Sequence, residues 1–204
     1  LRLWRFIDMA GLLTKEELGH FLAMLSDSGA HLRGHFLLSS GLHSSDYLQC
    51  ALFLSNTSYA SWAGEKLARA AEDLAPDLVV SPAMGGIVIG HETARQGGLP
   101  FVFTEREGGV MRLRRFPAPG KVRFIVVEDV FTTGKSTMEV VDVMYSMGAE
   151  WVGALSLVNR SGKEDLFPVP TMSLWETQFP VYAPESCPMC ANGEKLLKPG
   201  SRFI

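Results

Sequence analysis

Leu18, Phe21, Leu22 and Leu25 recur at helical spacing behind Thr14. That threonine can cap the helix, with Glu17 three residues on completing a capping box. The helix is expected to stop between residues 26 and 29. Residues 34–41 read as a short strand running into a turn, and residues 46–51 as a second strand, so that the pair resembles a hairpin. Ala63, Leu67, Ala70, Ala71 and Leu74 make a further apolar stripe, ended by Pro76. Strands and helices then alternate. The pattern predicts strands at 78–81, 101–104, 122–128 and 151–158, and helices at 86–96 and 136–147, the second closed by Gly148. These strands are continuous apolar runs, as expected where helices cover both faces of a sheet. The fold class is therefore α/β, a parallel twisted sheet flanked by helices. The tail after Arg160, rich in Pro and Gly, is expected to pack with the N-terminal segment.

One stretch breaks the alternation. Residues 105–120 carry three Gly, two Pro and four Arg without a clear period. Structureless stretches of that length are uncommon in compact domains and are usually functional or disordered. A mobile, arginine-bearing lid suits a site that handles phosphate.

Composition narrows the class. The chain has 204 residues, 47% of them hydrophobic and 20% charged, which is enough for one domain with a substantial core. No apolar run approaches the ~20 residues of a spanning helix, so no membrane partner is expected. Residues 1–7 are too short and too soon followed by Asp8 for a signal peptide, and the absence of an initial Met suggests a trimmed start. A net charge of −3 does not invite nucleic acid. Three cysteines do not make a disulfide framework, which points to a reducing, cytoplasmic setting.

The most informative segment runs from 123 to 137. An apolar strand ends in Glu128 and Asp129, then Thr132, Thr133, Gly134, Lys135, Ser136 and Thr137 turn into a helix. In a parallel sheet, ligands sit beyond the carboxyl ends of strands. Free backbone N–H groups at a helix start, together with four hydroxyls, make a phosphate pocket. Two carboxylates would repel that phosphate, so they are expected to accept from sugar hydroxyls or face a metal. Phosphate at one end and diol at the other describes a ribose 5-phosphate. Strand termination and helix capping account for one acid or hydroxyl, not for two acids followed by four hydroxyls. Gly134-Lys135-Ser136 also looks like the end of a nucleoside-triphosphate P-loop. That motif needs Gly where Asp129 stands, and a carboxylate there would oppose the phosphates.

This segment resembles the signature of type I phosphoribosyltransferases, which bind 5-phosphoribosyl 1-diphosphate (PRPP). Residues 34–44, Pro82-Ala83-Met84-Gly85-Gly86, Thr104-Glu105-Arg106-Glu107, Leu157-Val158-Asn159-Arg160 and Cys187-Pro188-Met189-Cys190 resemble the orotate branch of that family. The resemblance covers nearly the whole chain from Gly34. It implies attack by orotate on C1 of the ribose, departure of pyrophosphate and formation of orotidine 5′-monophosphate, with Mg²⁺ as cofactor. Asp129 and Glu128 would hold the ribose hydroxyls, and Thr132, Thr133, Gly134, Lys135 and Ser136 the 5-phosphate. Ala83, Met84, Gly85 and Gly86 would present amides to the pyrophosphate. Arg160 would pair with the orotate carboxylate, with Thr132 and Ser39 also at the base, and Arg106 would serve catalysis. No protein side chain is expected as a dedicated Mg²⁺ ligand, because PRPP itself carries the ion. The resemblance further implies a homodimer in which the loop reaches the neighbouring subunit's site. It also implies one domain, with 58–160 as the PRPP-binding core and 1–57 with 161–204 as a hood.

The chain departs from this family in two places. Residues 105–120 contain no Lys, whereas many members carry lysines there; arginine neutralises pyrophosphate but does not readily give up a proton. Ser39 stands where many members have Lys. Outside the signature, Met138, Met144 and Met147 form a helical stripe read as core, and His35, His43 and His91 lack metal-ligand spacing and read as packing or hydrogen-bonding residues. Cys187 and Cys190 form a lone C-x-x-C. A structural zinc site wants four ligands, so this pair would need a histidine or a second subunit, and a plain surface turn is the favoured reading. Two alternatives accompany the orotate reading: transfer to a purine or other base, and a non-catalytic PRPP-sensing regulator on the same fold.

Overall fold

A computed structural model describes residues 12–38, 40–163 and 165–198. The N-terminal helix α1 (Lys15–Asp27) forms as its capping box predicts: Thr14 Oγ1 accepts from the Glu17 amide, and Glu17 accepts from the Thr14 amide. Strands β1 (His31–Leu37) and β2 (His43–Leu48) pair antiparallel. The second strand thus starts and stops earlier than 46–51. Cys50 and Ala51 belong instead to a short helix, α2 (Cys50–Leu54), followed by α3 (Thr57–Ala71).

The core sheet contains β3 (Leu78–Pro82), β4 (Phe101–Glu107), β5 (Val110–Arg112), β6 (Arg123–Phe131), β7 (Glu150–Asn159) and β8 (Thr171–Glu176), in the order β5-β4-β3-β6-β7-β8. All its pairings are parallel except β4 with β5. Helix α4 (Gly86–Gly97) lies with α3 over one face, and α5 (Lys135–Ser146) over the other. The apolar runs of β3 and β6 are split by the strand's period of two: Val79, Ile125 and Val127 join the cluster under α3 and α4, whereas Leu78, Val80, Phe124 and Val126 join the one under α5.

Three expectations need correction. Residues 105–112 are a hairpin and not an irregular stretch: β4 continues to Glu107, Gly108 and Gly109 turn it at positive φ, and β5 returns. The core sheet extends past residue 160, because β8 adds its edge strand alongside β7. Met138 is exposed, while Met144 is fully buried. The remainder of the tail does meet the N-terminal hairpin. Strand β9 (Val181–Tyr182) pairs with β2, helix α6 (Pro188–Ala191) follows, and Leu197 exchanges backbone hydrogen bonds with His35 and Leu37. No helix of the described residues is long and apolar enough to cross a membrane.

Candidate active site

The acidic pair lies inside β6, not beyond it, since the strand runs on to Phe131. Alternation therefore sends the two carboxylates to opposite faces of the sheet. Glu128 points toward α5, where its Oε1 accepts a 2.6 Å hydrogen bond from Thr137 Oγ1. Its surroundings are buried, and loss of water pushes its pKa up from 4.5 to about 7; Thr137 opposes the shift and the neighbouring Asp129 charge adds to it. Asp129 points the other way, against the turn between β3 and α4. Burial raises its pKa also, while its own amide and that of Val130 donate to the carboxylate and restrain the rise.

Gly85 is what lets that turn close on Asp129. A Cβ there would stand 2.7 Å from Oδ2 and 2.8 Å from Oδ1 of Asp129. Ala83, Met84, Gly85 and Gly86 thus sit beside the carboxylate, with the Ala83 amide donating to the Thr104 carbonyl, Met84 exposed and a cis peptide bond between Ala83 and Met84. After Phe131 the chain bends through Thr132, Thr133 and Gly134 into α5. Gly134 is left-handed (φ 75°), and a Cβ on it would meet the Phe167 ring at 2.6 Å. Glu128 and residues 130–136 line a cavity of about 200 Å³ at the start of α5, into which Thr132, Thr133, Lys135 and Ser136 can present donors. A larger depression of about 540 Å³ lies on the outer surface of α3 and α4, where its Arg95 is already paired with Glu92.

Arg160 follows β7 at the same sheet edge. Its amide donates to the Phe131 carbonyl and its guanidinium lies 4.5 Å from the Phe179 ring centroid. Its buried Nε has no hydrogen-bond partner among the described residues, and burial lowers its pKa. Tyr47 of β2 is raised in pKa, chiefly by burial and then by the Asp129 charge, so the hairpin lies within electrostatic reach of the acids. Thr137, one of the four hydroxyls expected in the phosphate pocket, is instead buried and donates to Glu128. Tyr47 and Phe179 were not singled out by sequence.

Among the described residues, one predicted site residue is not paired with the acids. Arg106 pairs with Glu139 of α5 and donates to the Gly109 carbonyl at 3.2 Å. The other arginines of this segment are likewise paired, Arg112 with Glu107, Arg114 with Glu105 and Glu107, and Arg115 with Glu105. Ser39 lies outside the described residues.

A parallel sheet presenting an acidic pair, a close glycine turn and a hydroxyl-rich helix start at one edge defines the type I phosphoribosyltransferase class. No protein-family model matches the chain. Individual relatives are nonetheless close. The chain is 48% identical to an orotate phosphoribosyltransferase of Carboxydothermus hydrogenoformans, over 85% of this chain and 92% of that one. It is 45% identical to the orotate phosphoribosyltransferase of Thermotoga maritima, over 89% and 97%. The crystal structure of orotate phosphoribosyltransferase from Aeropyrum pernix superposes with a TM-score of 0.67 at 30% identity, over 76% of this chain and 92% of that one. The chain belongs to the orotate phosphoribosyltransferase family.

Proposed function

We propose that this protein transfers the 5-phosphoribosyl group of PRPP to orotate, releasing pyrophosphate and orotidine 5′-monophosphate. The observation that carries the reading is convergence at one sheet edge. The Asp129 carboxylate, the 83–86 turn pressed against it and the 132–136 cavity at the α5 start together fit a phosphorylated ribose. In this reading Asp129 and Glu128 accept from the ribose hydroxyls, Asp129 from the side of the 83–86 turn and Glu128 from the cavity at the α5 start. Thr132, Thr133, Gly134, Lys135 and Ser136 hold the 5-phosphate, while Ala83, Met84, Gly85 and Gly86 offer amides to the departing pyrophosphate. Arg160 takes the orotate carboxylate through its guanidinium. Rate enhancement then comes chiefly from alignment of the base with C1 and from fixed charge and dipoles around the leaving group.

Mg²⁺ is the assigned cofactor. Glu128 and Asp129 offer the hard oxygen donors that Mg²⁺ accepts, but Thr137 already engages Glu128 and Gly85 closes on Asp129. The ion would therefore be held mainly by PRPP oxygens, and when bound it would neutralise charge on the pyrophosphate. We assign a homodimer in which Arg106 serves the neighbouring site, and a cytoplasmic setting, on the strength of three free thiols.

The test is to incubate the protein with PRPP, Mg²⁺ and orotate and follow loss of orotate absorbance, then repeat with adenine, guanine and hypoxanthine. Turnover with orotate alone is expected. Turnover with a purine and not with orotate overturns the base assignment. PRPP binding without turnover of any base establishes a sensor instead.

A further inference from the structure

Away from the candidate active site, four side chains distant in sequence meet between the N-terminal hairpin and the tail. They are His35 of β1, His43 of β2, and Cys187 and Cys190 at the two ends of the α6 turn, and their ligand atoms all lie within 4.8 Å of one another. His35 Nε2 is 2.9 Å from His43 Nδ1, 3.5 Å from Cys187 Sγ and 3.6 Å from Cys190 Sγ, while Cys190 Sγ is 3.3 Å from His43 Nδ1. A tetrahedral zinc with bonds of about 2.0–2.1 Å to nitrogen and about 2.3 Å to sulfur has N···S edges of roughly 3.5 Å and an N···N edge of roughly 3.3 Å. Three of the four N···S separations match, and the two imidazoles need open by only a few tenths of an ångström.

The hydrogen-bond inventory points the same way. His35 Nδ1 lies 3.0 Å from the Glu194 carbonyl oxygen, which can only accept, so the ring proton sits on Nδ1 and Nε2 presents a lone pair. Three further ligand atoms crowd that single lone pair, more than hydrogen bonding can satisfy there. One cation satisfies all four at once, and the carbonyl behind His35 is the outer-shell partner that zinc-bound imidazoles usually have. His35, His43 and Cys187 are buried, and Cys190 sits at the rim, where an ion can enter. Two thiolates with two imidazoles favour zinc over magnesium or calcium. Cys50, fully buried with its thiol pKa pushed well above the ordinary value, lies outside the cluster.

We propose that His35, His43, Cys187 and Cys190 form a structural zinc site that clamps the tail to the N-terminal hairpin. The clamp has an architectural reason. Apart from the ion, β9 contributes only two residues to this small sheet, and Leu197 a single bridge to β1. The β2 strand that begins at His43 continues to Tyr47, which feels the Asp129 charge, so a fixed tail also steadies the strand that lies within electrostatic reach of the acids.

The test uses untagged full-length protein from zinc-supplemented cells, with metal content measured by plasma mass spectrometry. About one zinc per chain is expected, retained in Cys50→Ser and lost in Cys190→Ser and in Cys187→Ser/Cys190→Ser. A strong chelator is expected to lower Tm by roughly 5–15 °C, and added Zn²⁺ to restore it. Replacement by Co²⁺ provides a readout independent of the variants' folding: intense tetrahedral ligand-field bands with thiolate charge transfer are expected in the wild-type protein. Background zinc, a Tm indifferent to chelator and octahedral or absent cobalt bands would overturn the site. Zinc retained in the double cysteine variant would place the metal elsewhere.

Discussion

At the scale of single residues, the two acids of β6 meet different surroundings because a strand turns neighbouring side chains to opposite faces. Glu128 is the more deeply buried. Its folded pKa of about 7 against 4.5 means that the native chain holds this proton more tightly than the unfolded chain. The resulting stabilisation is complete below pH 4.5 and is lost as pH rises to about 7, amounting to about 3 kcal/mol at ~1.4 kcal/mol per unit. Glu128→Gln keeps an acceptor for Thr137 but does not ionise. Denaturant unfolding across that window should show a steeper fall for the wild-type protein than for the variant, and parallel profiles would remove the assignment. Gly85→Ala would drive a Cβ into the Asp129 carboxylate, and a displacement near 1 Å at such a site costs roughly 100-fold. Steady-state kinetics should show that loss in kcat/KM for PRPP with unchanged circular dichroism; wild-type kinetics would mean that the turn does not position the acid. The acids, hydroxyls and glycines were legible as residue types at a spacing. Which face each carboxylate takes was not, because the end of the strand was placed three residues too early.

At the scale of elements, the long apolar strands and capped helices were readable because burial on both sides leaves a strong periodic signal. Helix α2 escaped, being five residues long with no room for a stripe. Strand β8 escaped because Pro168 and Pro170 precede it and mask a partner for β7. The β4–β5 hairpin escaped for a different reason: Arg112 of β5 pairs with Glu107 of β4, and Arg114 just past β5 joins the same carboxylate, and hydrophobic patterning does not register such pairs. The bend opening α5 depends on Gly134. Alanine there would face both a left-handed backbone and the Phe167 ring. A cost of about 1–3 kcal/mol follows, so calorimetry should find the Gly134→Ala Tm lower by roughly 2–12 °C. An unchanged Tm would mean that the bend tolerates a side chain.

For the whole molecule, the open matter is where Arg106 acts. Within one chain it is held by Glu139 and the Gly109 carbonyl, away from the acids. Service to a neighbouring site requires a dimer and makes a specific prediction. Asp129→Ala and Arg106→Ala should each be inactive alone. Refolded together they should regain activity, because mixed dimers hold one site with both residues intact. No recovery in a verified mixed dimer would confine Arg106 to its own chain. The same scale explains why the histidine–cysteine cluster was hidden: His35 and Cys187 are 152 residues apart, and only pairing of the hairpin with the tail unites them.

A crystal structure of the protein with PRPP and Mg²⁺ tests the central claim most directly. The account predicts the ribose diol on Asp129, the 5-phosphate among Thr132, Thr133, Gly134, Lys135 and Ser136, and the diphosphate against residues 83–86. A 5-phosphate bound elsewhere, with the α5 start left to solvent, would contradict it.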